Sequence, residues 1–433
     1  MKLNYKHTVL IGFAFMSILA FWQFYDQVIP FILENRFGLN TFVTNAVMSI
    51  DNVLALFMLP LFGMLSDKTN TRLGKRTPYI LFGTIAASGL LLILAFFEKR
   101  LYFAGFMVTL IALLIVMSTY RSPAVAYMPD VTEKPLRSKA NAVINLIGYI
   151  GGIFATVLMM VLLKSEKNAE GESVYTNGQS FTAVFVCIAV FMLFAVLIMT
   201  FFVKENRLKH IADEQEEDIA NGEKKPLEKS VKISFALILI SVFLWFAAYN
   251  AVTTAFSRYC ADVWGVSVGK SSGYLLLATV AAILSFLPLG FLSSRLGRKK
   301  TVLIGIALMT VCFVAAGLIK HETPVMYAVF AIVGIGWAAI NVNSYPMAVE
   351  IGSGSDIGKY TGLYYTFSMA AQIATPLLSG LIITKTDWGY NTLFPYAVFF
   401  SAASFVTMSF VRHGDYKPQM KEAVMENLSA GDD

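Results

Sequence analysis

Apolar residues in this chain come in long unbroken runs divided by short polar stretches, without the one-sided periodicity of a helix on a water-soluble domain. Each run reaches about 18 residues or more, the length a helix needs to cross a bilayer core at about 1.5 Å per residue. The first set lies at 8–33, 42–65, 78–97, 101–127, 140–163 and 180–203, and the second at 233–257, 269–292, 301–319, 324–345, 360–384 and 393–411. This pattern predicts an all-α membrane protein with twelve transmembrane helices in two six-helix bundles, 1–203 and 233–412. Between them, 204–232 carries Asp213-Glu-Gln-Glu-Glu-Asp218 and Lys224-Lys-Pro226, a composition that buries no core and reads as a linker. The polar stretch 413–433 reads as a tail.

Two polar breaks are near copies of one another. Gly63-Met-Leu-Ser-Asp67 runs on to Arg72-Leu-Gly74-Lys75-Arg76-Thr77, and Gly290-Phe-Leu-Ser-Ser294 runs on to Arg295-Leu-Gly297-Arg298-Lys-Lys-Thr301. Each joins the second and third runs of its half, so a six-helix unit is duplicated, the organisation of alternating-access transporters. The repeated glycines and Asp67 predict tight turns and an ion-pair latch at one end, although topology alone also accounts for the basic residues. Pro123 and Pro129 in span 4, Pro346 in span 10, Gly148, Gly151 and Gly152 in span 5, and Gly362 and Gly380 in span 11 permit bends and close helix approach. Their matched placement favours helices that rock, with packing as the plainer alternative.

Composition agrees: 57% hydrophobic and 14% charged residues, with mean hydropathy +0.64, leave too few charges to coat a soluble globule of 433 residues. The net charge of +6 does not point to nucleic acid, because, against 9 in the other loops and Arg121 within a span, 24 of the 34 Lys and Arg gather in the tails and in the loops after even-numbered spans. By the positive-inside rule these are cytoplasmic, with both termini, in a cell membrane protein. The opening Met1-Lys-Leu-Asn-Tyr-Lys-His7 shows no small-residue cleavage site, so the first span is read as uncleaved. Cys187, Cys260 and Cys312 are scattered, and neither a disulfide framework, a metal site nor a cofactor is expected.

A charge at mid-helix costs about 2.5–3.5 kcal/mol on insertion scales, so each one needs a partner or a purpose. Asp26, Asp51 and Arg121 stand out. Trp22 and Asp26 share a helix face, with Gln23, Tyr25 and Gln27 adjoining. An aromatic plate beside hydrogen-bonding groups suits a sugar, which offers an apolar CH face and a belt of hydroxyls. A buried carboxylate at Asp51 or Asp26 can load a proton on one side and release it on the other. The plainer alternatives are a structural ion pair with Arg121 or, for Asp51, a place wet enough to need neither. Arg121 lies nine residues before Asp130, roughly 13 Å deep, too far in for easy snorkelling. Asn145 in span 5, Trp245, Tyr249 and Asn250 in span 7, Trp337, Asn341 and Asn343 in span 10, and Gln372 in span 11 complete the candidate binding set, with packing the alternative for the aromatics.

The loop pattern of a glycine, three residues, an aspartate and then Arg-x-Gly-Arg/Lys resembles the signature of the major facilitator superfamily. Four residues separate Asp67 from Arg72, and Pro78-Tyr-Ile-Leu follows, which is similar to the glycoside-pentoside-hexuronide cation symporters and the sucrose-proton symporters. Arg121-Ser-Pro-Ala-Val-Ala-Tyr-Met-Pro-Asp130 and Arg137-Ser-Lys-Ala-Asn141-Ala are similar to the span 4 to 5 junction of that branch. The resemblance implies a two-bundle sugar symporter. It departs at Ala55 and Leu59, which stand where the melibiose-type transporters hold a cation with two acids, and it lacks the span 4 acid of plant sucrose symporters. Coupling is therefore reassigned to Asp26, Asp51 and Arg121.

The expected function is proton-coupled symport of a disaccharide or glycoside such as sucrose or maltose by a monomer, with sodium the lesser ion candidate. The expected gate is Gly63, Asp67, Arg72, Gly74, Lys75 and Arg76 with Arg295, Gly297 and Arg298. A proton-driven drug or metabolite exporter is the alternative, and a receptor or scaffold without transport the more distant one. Reporter fusions test the topology: phosphatase fused near Arg100 is expected to be active and fused near Lys224 inactive, and the reverse pattern would overturn the orientation.

Overall fold

The computed structural model describes residues 3–167, 173–175, 179–206, 208, 228–266, 268–351 and 356–415, so most of the expected linker and tail lie outside the described residues. Within them, 12 helical segments are long and apolar enough to cross a membrane. The first half holds α1 (Tyr5–Asn35), α2 (Thr41–Met48), α3 (Ile50–Lys68), α4 (Thr77–Lys99), α5 (Phe103–Asp130), α6 (Arg137–Leu162) and α7 (Thr182–Phe202). The second holds α8 (Lys229–Trp264), α9 (Val268–Leu296), α10 (Arg298–Leu318), α11 (Val325–Glu350), α12 (Ile357–Lys385) and α13 (Leu393–Ser409). Two features go beyond the hydropathy pattern. The second span is broken at Ser49 into α2 and α3, and a short antiparallel hairpin, β1 (Ser165–Lys167) with β2 (Ser173–Tyr175), joins α6 to α7.

The helices overrun their apolar cores because a helix pairs its own backbone and can carry polar residues out to the interface. Thus α8 extends well past the apolar run 233–257 at both ends and stops at Gly265, whose φ of +65° a side chain rarely adopts. At the other extreme, α1 starts on Asn4, whose side chain accepts a hydrogen bond from the His7 amide at 3.2 Å.

Each half packs as its own bundle. α1 runs along α6 and α7, α4 along α5 and α7, and α3 along α5, while α9 and α10 pack on α11, and α8 and α10 on α13. Phe21, Phe24, Phe106 and Trp245 are fully buried within them, whereas Phe57, Met160, Phe201, Leu284 and Phe399 point outward as a lipid-facing surface requires.

The bundles meet along α3 with α12 and along α6 with α9. In lipid the gain comes from close packing rather than from burial of apolar surface, so small residues mark the seam. A Cβ on Gly63 would overlap the Gly358 carbonyl, one on Gly358 the Gly63 carbonyl, and one on Gly362 the Pro60 backbone, while a Cβ on Gly290 would lie 2.8 Å from that of Ala142. All of these lie towards the end that carries the repeated basic loops, and that end is shut. The repeated Leu-Gly turns there need their glycine, with φ of +113° at Gly74 and +89° at Gly297.

Gly63→Ala is expected to cost about 1–3 kcal/mol by overpacking, read as a lower thermal midpoint in detergent. Gly380→Ala, where nothing lies within 4 Å of an added Cβ, should leave the midpoint unchanged; equal midpoints for both variants would contradict the close approach.

Candidate functional site

A cavity of about 260 Å³ opens at the seam of the bundles, among α1, α5, α6 and α12, and Trp22, Gln23, Asp26, Arg121, Asn145, Tyr149 and Tyr365 supply its polar and aromatic lining. The i, i+4 geometry of α1 places Trp22 and Asp26 on the same wall, as their spacing demands. Asp26 is exposed to this space.

Arg121 is held between two aromatic faces, its Cζ 5.2 Å from the centre of the Trp22 ring and 5.7 Å from that of Tyr365. Trp22 belongs to the first bundle and Tyr365 to the second, so the guanidinium spans the seam. It makes no direct hydrogen bond or ion pair with another described residue. Cation–π contacts are worth about 0.5–2 kcal/mol each, against about 2.5–3.5 kcal/mol for placing the charge at mid-membrane. The rings offset much of that cost but satisfy none of the five N–H donors, which remain for water or a ligand.

Asp51 lies outside this lining, half-buried in the first turn of α3 beside the break at Ser49, where the helix N-terminus favours a negative charge. Its Oδ1 accepts a hydrogen bond from Asn52 Nδ2 at 3.0 Å. The structural alternative of a direct ion pair with Arg121 is not found for Asp26 or for Asp51, yet the three charges act on one another electrostatically.

The other sequence candidates divide between the cavity and the cores. Asn145 lines the cavity and donates to Asn141 O at 2.8 Å and to Asn141 Oδ1 at 3.1 Å. Tyr25 is buried inside the first bundle, where its ring stacks on Phe21 at 5.9 Å. Gln27, one residue past Asp26, is half-buried. Trp245 and Asn343 are walled into the second bundle, the latter donating to Ala339 O at 2.9 Å, and neither lines this cavity. Tyr249 stacks flat on Trp337, 3.9 Å between centres and 6° between planes, with half-buried Asn250 next in the chain. Gln372 reaches Met369 Sδ at 3.7 Å, and half-buried Asn341 presents its carbonyl to Asn141.

The repeated loops build a charged clamp. Arg76, fully buried, binds Asp67 and Ser66 on α3 and reaches Asp130 Oδ2 through Nε at 2.6 Å. Burial works against its charge, but Asp130 and Asp67 outweigh it and hold Arg76 above its ordinary pKa. Lys75 Nζ adds a pair with Asp130 Oδ1 at 2.9 Å. Asp67 also accepts from the Gly358 and Lys359 amides, both at 2.9 Å, and so sits on the N-terminus of α12 in the opposite bundle. The second copy repeats the design, since buried Arg298 pairs with Glu350 at the end of α11 and donates to the Lys134 carbonyl of the first half. Arg72 and Arg295, by contrast, are exposed.

Several residues escaped the sequence reading. Tyr149 and Tyr365 were hidden among many aromatics. Glu205 opens the stretch read as a solvated linker, yet it is 1% exposed and accepts bonds from the Lys75, Arg76 and Thr77 amides at 2.9–3.1 Å. Its mirror is Asp415, which accepts from the Arg298 amide at 2.8 Å.

Residues 9–392 match the family model described as MFS/sugar transport protein. An uncharacterized MFS-type transporter of Mycobacterium tuberculosis is 28% identical over 36% of this chain and 22% of its own length. The isoprimeverose transporter of Lactiplantibacillus pentosus is 21% identical over 65% of this chain and 57% of its own, so the chain spans less than two thirds of either relative. Among solved structures, the major facilitator transporter FucP in its outward conformation superposes with a TM-score of 0.75 at 13% identity, covering 95% of this chain and 100% of that one, a likeness of fold.

The clamp sorts the loop arginines. Arg76→Met removes the guanidinium shared by two buried carboxylates and is expected to cost about 3–5 kcal/mol, with Arg298→Met also destabilising. Arg72→Met and Arg295→Met should leave the thermal midpoint in detergent within error of the parent, and equal losses at all four positions would refute the assignment.

Proposed function

The chain belongs to the MFS/sugar transport protein family, a family of transporters rather than enzymes, and on that premise we propose that it carries a disaccharide or other glycoside across the cell membrane together with a proton, by alternating access. The observation that carries this reading is the cavity at the seam, where Trp22, Gln23, Asp26, Arg121 and Asn145 converge while one end of the seam is shut. Trp22 offers a face for a sugar ring, the free donors of Arg121 and the amides meet hydroxyls, and Asp26 accepts. An exporter of apolar cations needs an apolar cage around a lone acid, which this amide- and guanidinium-bearing cavity is not.

The bundles, 1–203 and 233–412, are the moving bodies of a monomer, joined by 204–232. With the basic loops cytoplasmic by the positive-inside rule, the shut end is the inner gate, and the cavity awaits substrate from outside. Asp26 and Asp51 take the proton. Protonating one carboxylate lowers the negative charge around Arg121 and lets a loaded cavity turn inward at less electrostatic cost. One charge crossing 100 mV supplies about 2.3 kcal/mol, enough for roughly a fifty-fold sugar gradient at about 1.4 kcal/mol per tenfold. The isoprimeverose transporter among the relatives adds isoprimeverose to sucrose and maltose as first substrates to try.

Adding the right sugar to energy-starved cells is expected to make the medium alkaline. In vesicles, Asp26→Asn and Asp51→Asn should each abolish uphill uptake of that sugar while leaving exchange partly intact. Accumulation at the parent level in both variants would remove these carboxylates from coupling.

A further inference from the structure

Two backbone carbonyls at the shut end have lost their helical donors to proline. Pro346 lies inside α11 and has no N–H, so the carbonyl of Val342, four residues back, is left open. It is met at 3.0 Å by Nδ2 of Asn141, which comes from α6 in the other bundle and also lies 3.0 Å from Asn341 O. The opposite bundle repeats the arrangement. Pro129 inside α5 frees the carbonyl of Val125, and the hydroxyl of Tyr345, on α11, lies 3.1 Å from it while bonding Thr361 Oγ1 at 2.9 Å.

We propose that Asn141 and Tyr345 are the reciprocal latches of this end of the transporter, each holding a proline-freed carbonyl of the opposite bundle while that end is shut and releasing it when the bundles rock apart. Both side chains are 3% exposed, so in the shut state the protein rather than water satisfies the carbonyls. A buried carbonyl without a donor is costly, whereas an opened seam admits water that replaces the donor. The latch therefore favours closure without making it irreversible. It also stands one hydrogen bond from the cavity, because Asn145 donates to Asn141 Oδ1 and orients the amide towards α11. The latch acts in the same way whichever sugar or ion the cavity takes.

The test reads opening directly, as the rate of maleimide labelling of Ser138→Cys, a position buried in the seam, with Cys187, Cys260 and Cys312 replaced by alanine. Asn141→Ala should raise the rate about tenfold, equivalent to about 1.4 kcal/mol, and Tyr345→Phe should raise it in the same direction. Pro346→Ala restores the missing N–H, so Asn141→Ala in that background should change the rate less than about twofold. Pro129→Ala with Tyr345→Phe gives the same cycle from the other bundle. Unchanged labelling in both single variants, or an increase that is the same with and without the proline, would overturn the proposal.

Discussion

A charge in hydrocarbon must be paired or kept wet, and this constraint organises the molecule. Asp26 and Arg121 are affordable at mid-membrane only because the two bundles enclose a polar space there, with Arg121 held by an aromatic ring from each side. Arg76 and Arg298 meet the same constraint differently, by burying themselves against Asp67, Asp130 and Glu350 where the helices end. The first arrangement leaves donors free for a ligand. The second commits the guanidinium to carboxylates at the helix ends, beside the shut seam.

The two kinds of charge site act on one mechanical element. Glycines let α3 and α12 touch backbone to backbone, and Asp67 fastens the start of α12 from the opposite bundle. A rigid crossing of this kind has few intermediate positions, because close-packed helices either mesh or separate. In the proposed alternating-access cycle this crossing is the pivot about which the cavity opens at one face or the other, which is what a carrier requires and a channel does not.

Much of this was legible in the chain. Long apolar runs located the spans, and the duplicated Arg-Leu-Gly loops located both turns, but they marked the exposed Arg72 and Arg295 on the same footing as the buried Arg76 and Arg298. Trp22, Gln23 and Asp26 were found together because helical spacing fixes who shares a face. Spacing does not say which neighbour a face meets, so Trp245 and Asn343, plausible as ligand groups, lie within the second bundle, while Tyr149 and Tyr365 line the cavity unannounced. Glu205 was hidden for a different reason. An acid followed by a charged stretch reads as solvated, and only the fold brings three orphan amides of a helix start to its carboxylate. The break at Ser49, with Asp51 on the new helix start, has no glycine or proline to announce it.

The proposed transport rests on sugar and proton sharing the cavity built on Asp26 and Arg121. Its most direct test is the proton balance of binding, followed with a pH-sensitive dye as the transported sugar is titrated into purified protein in weak buffer. Net proton uptake on binding is expected for the parent and none for the Asp26→Asn, Asp51→Asn double variant. Tight sugar binding by the parent with no exchange of protons at any pH from about 5 to 8 would contradict it.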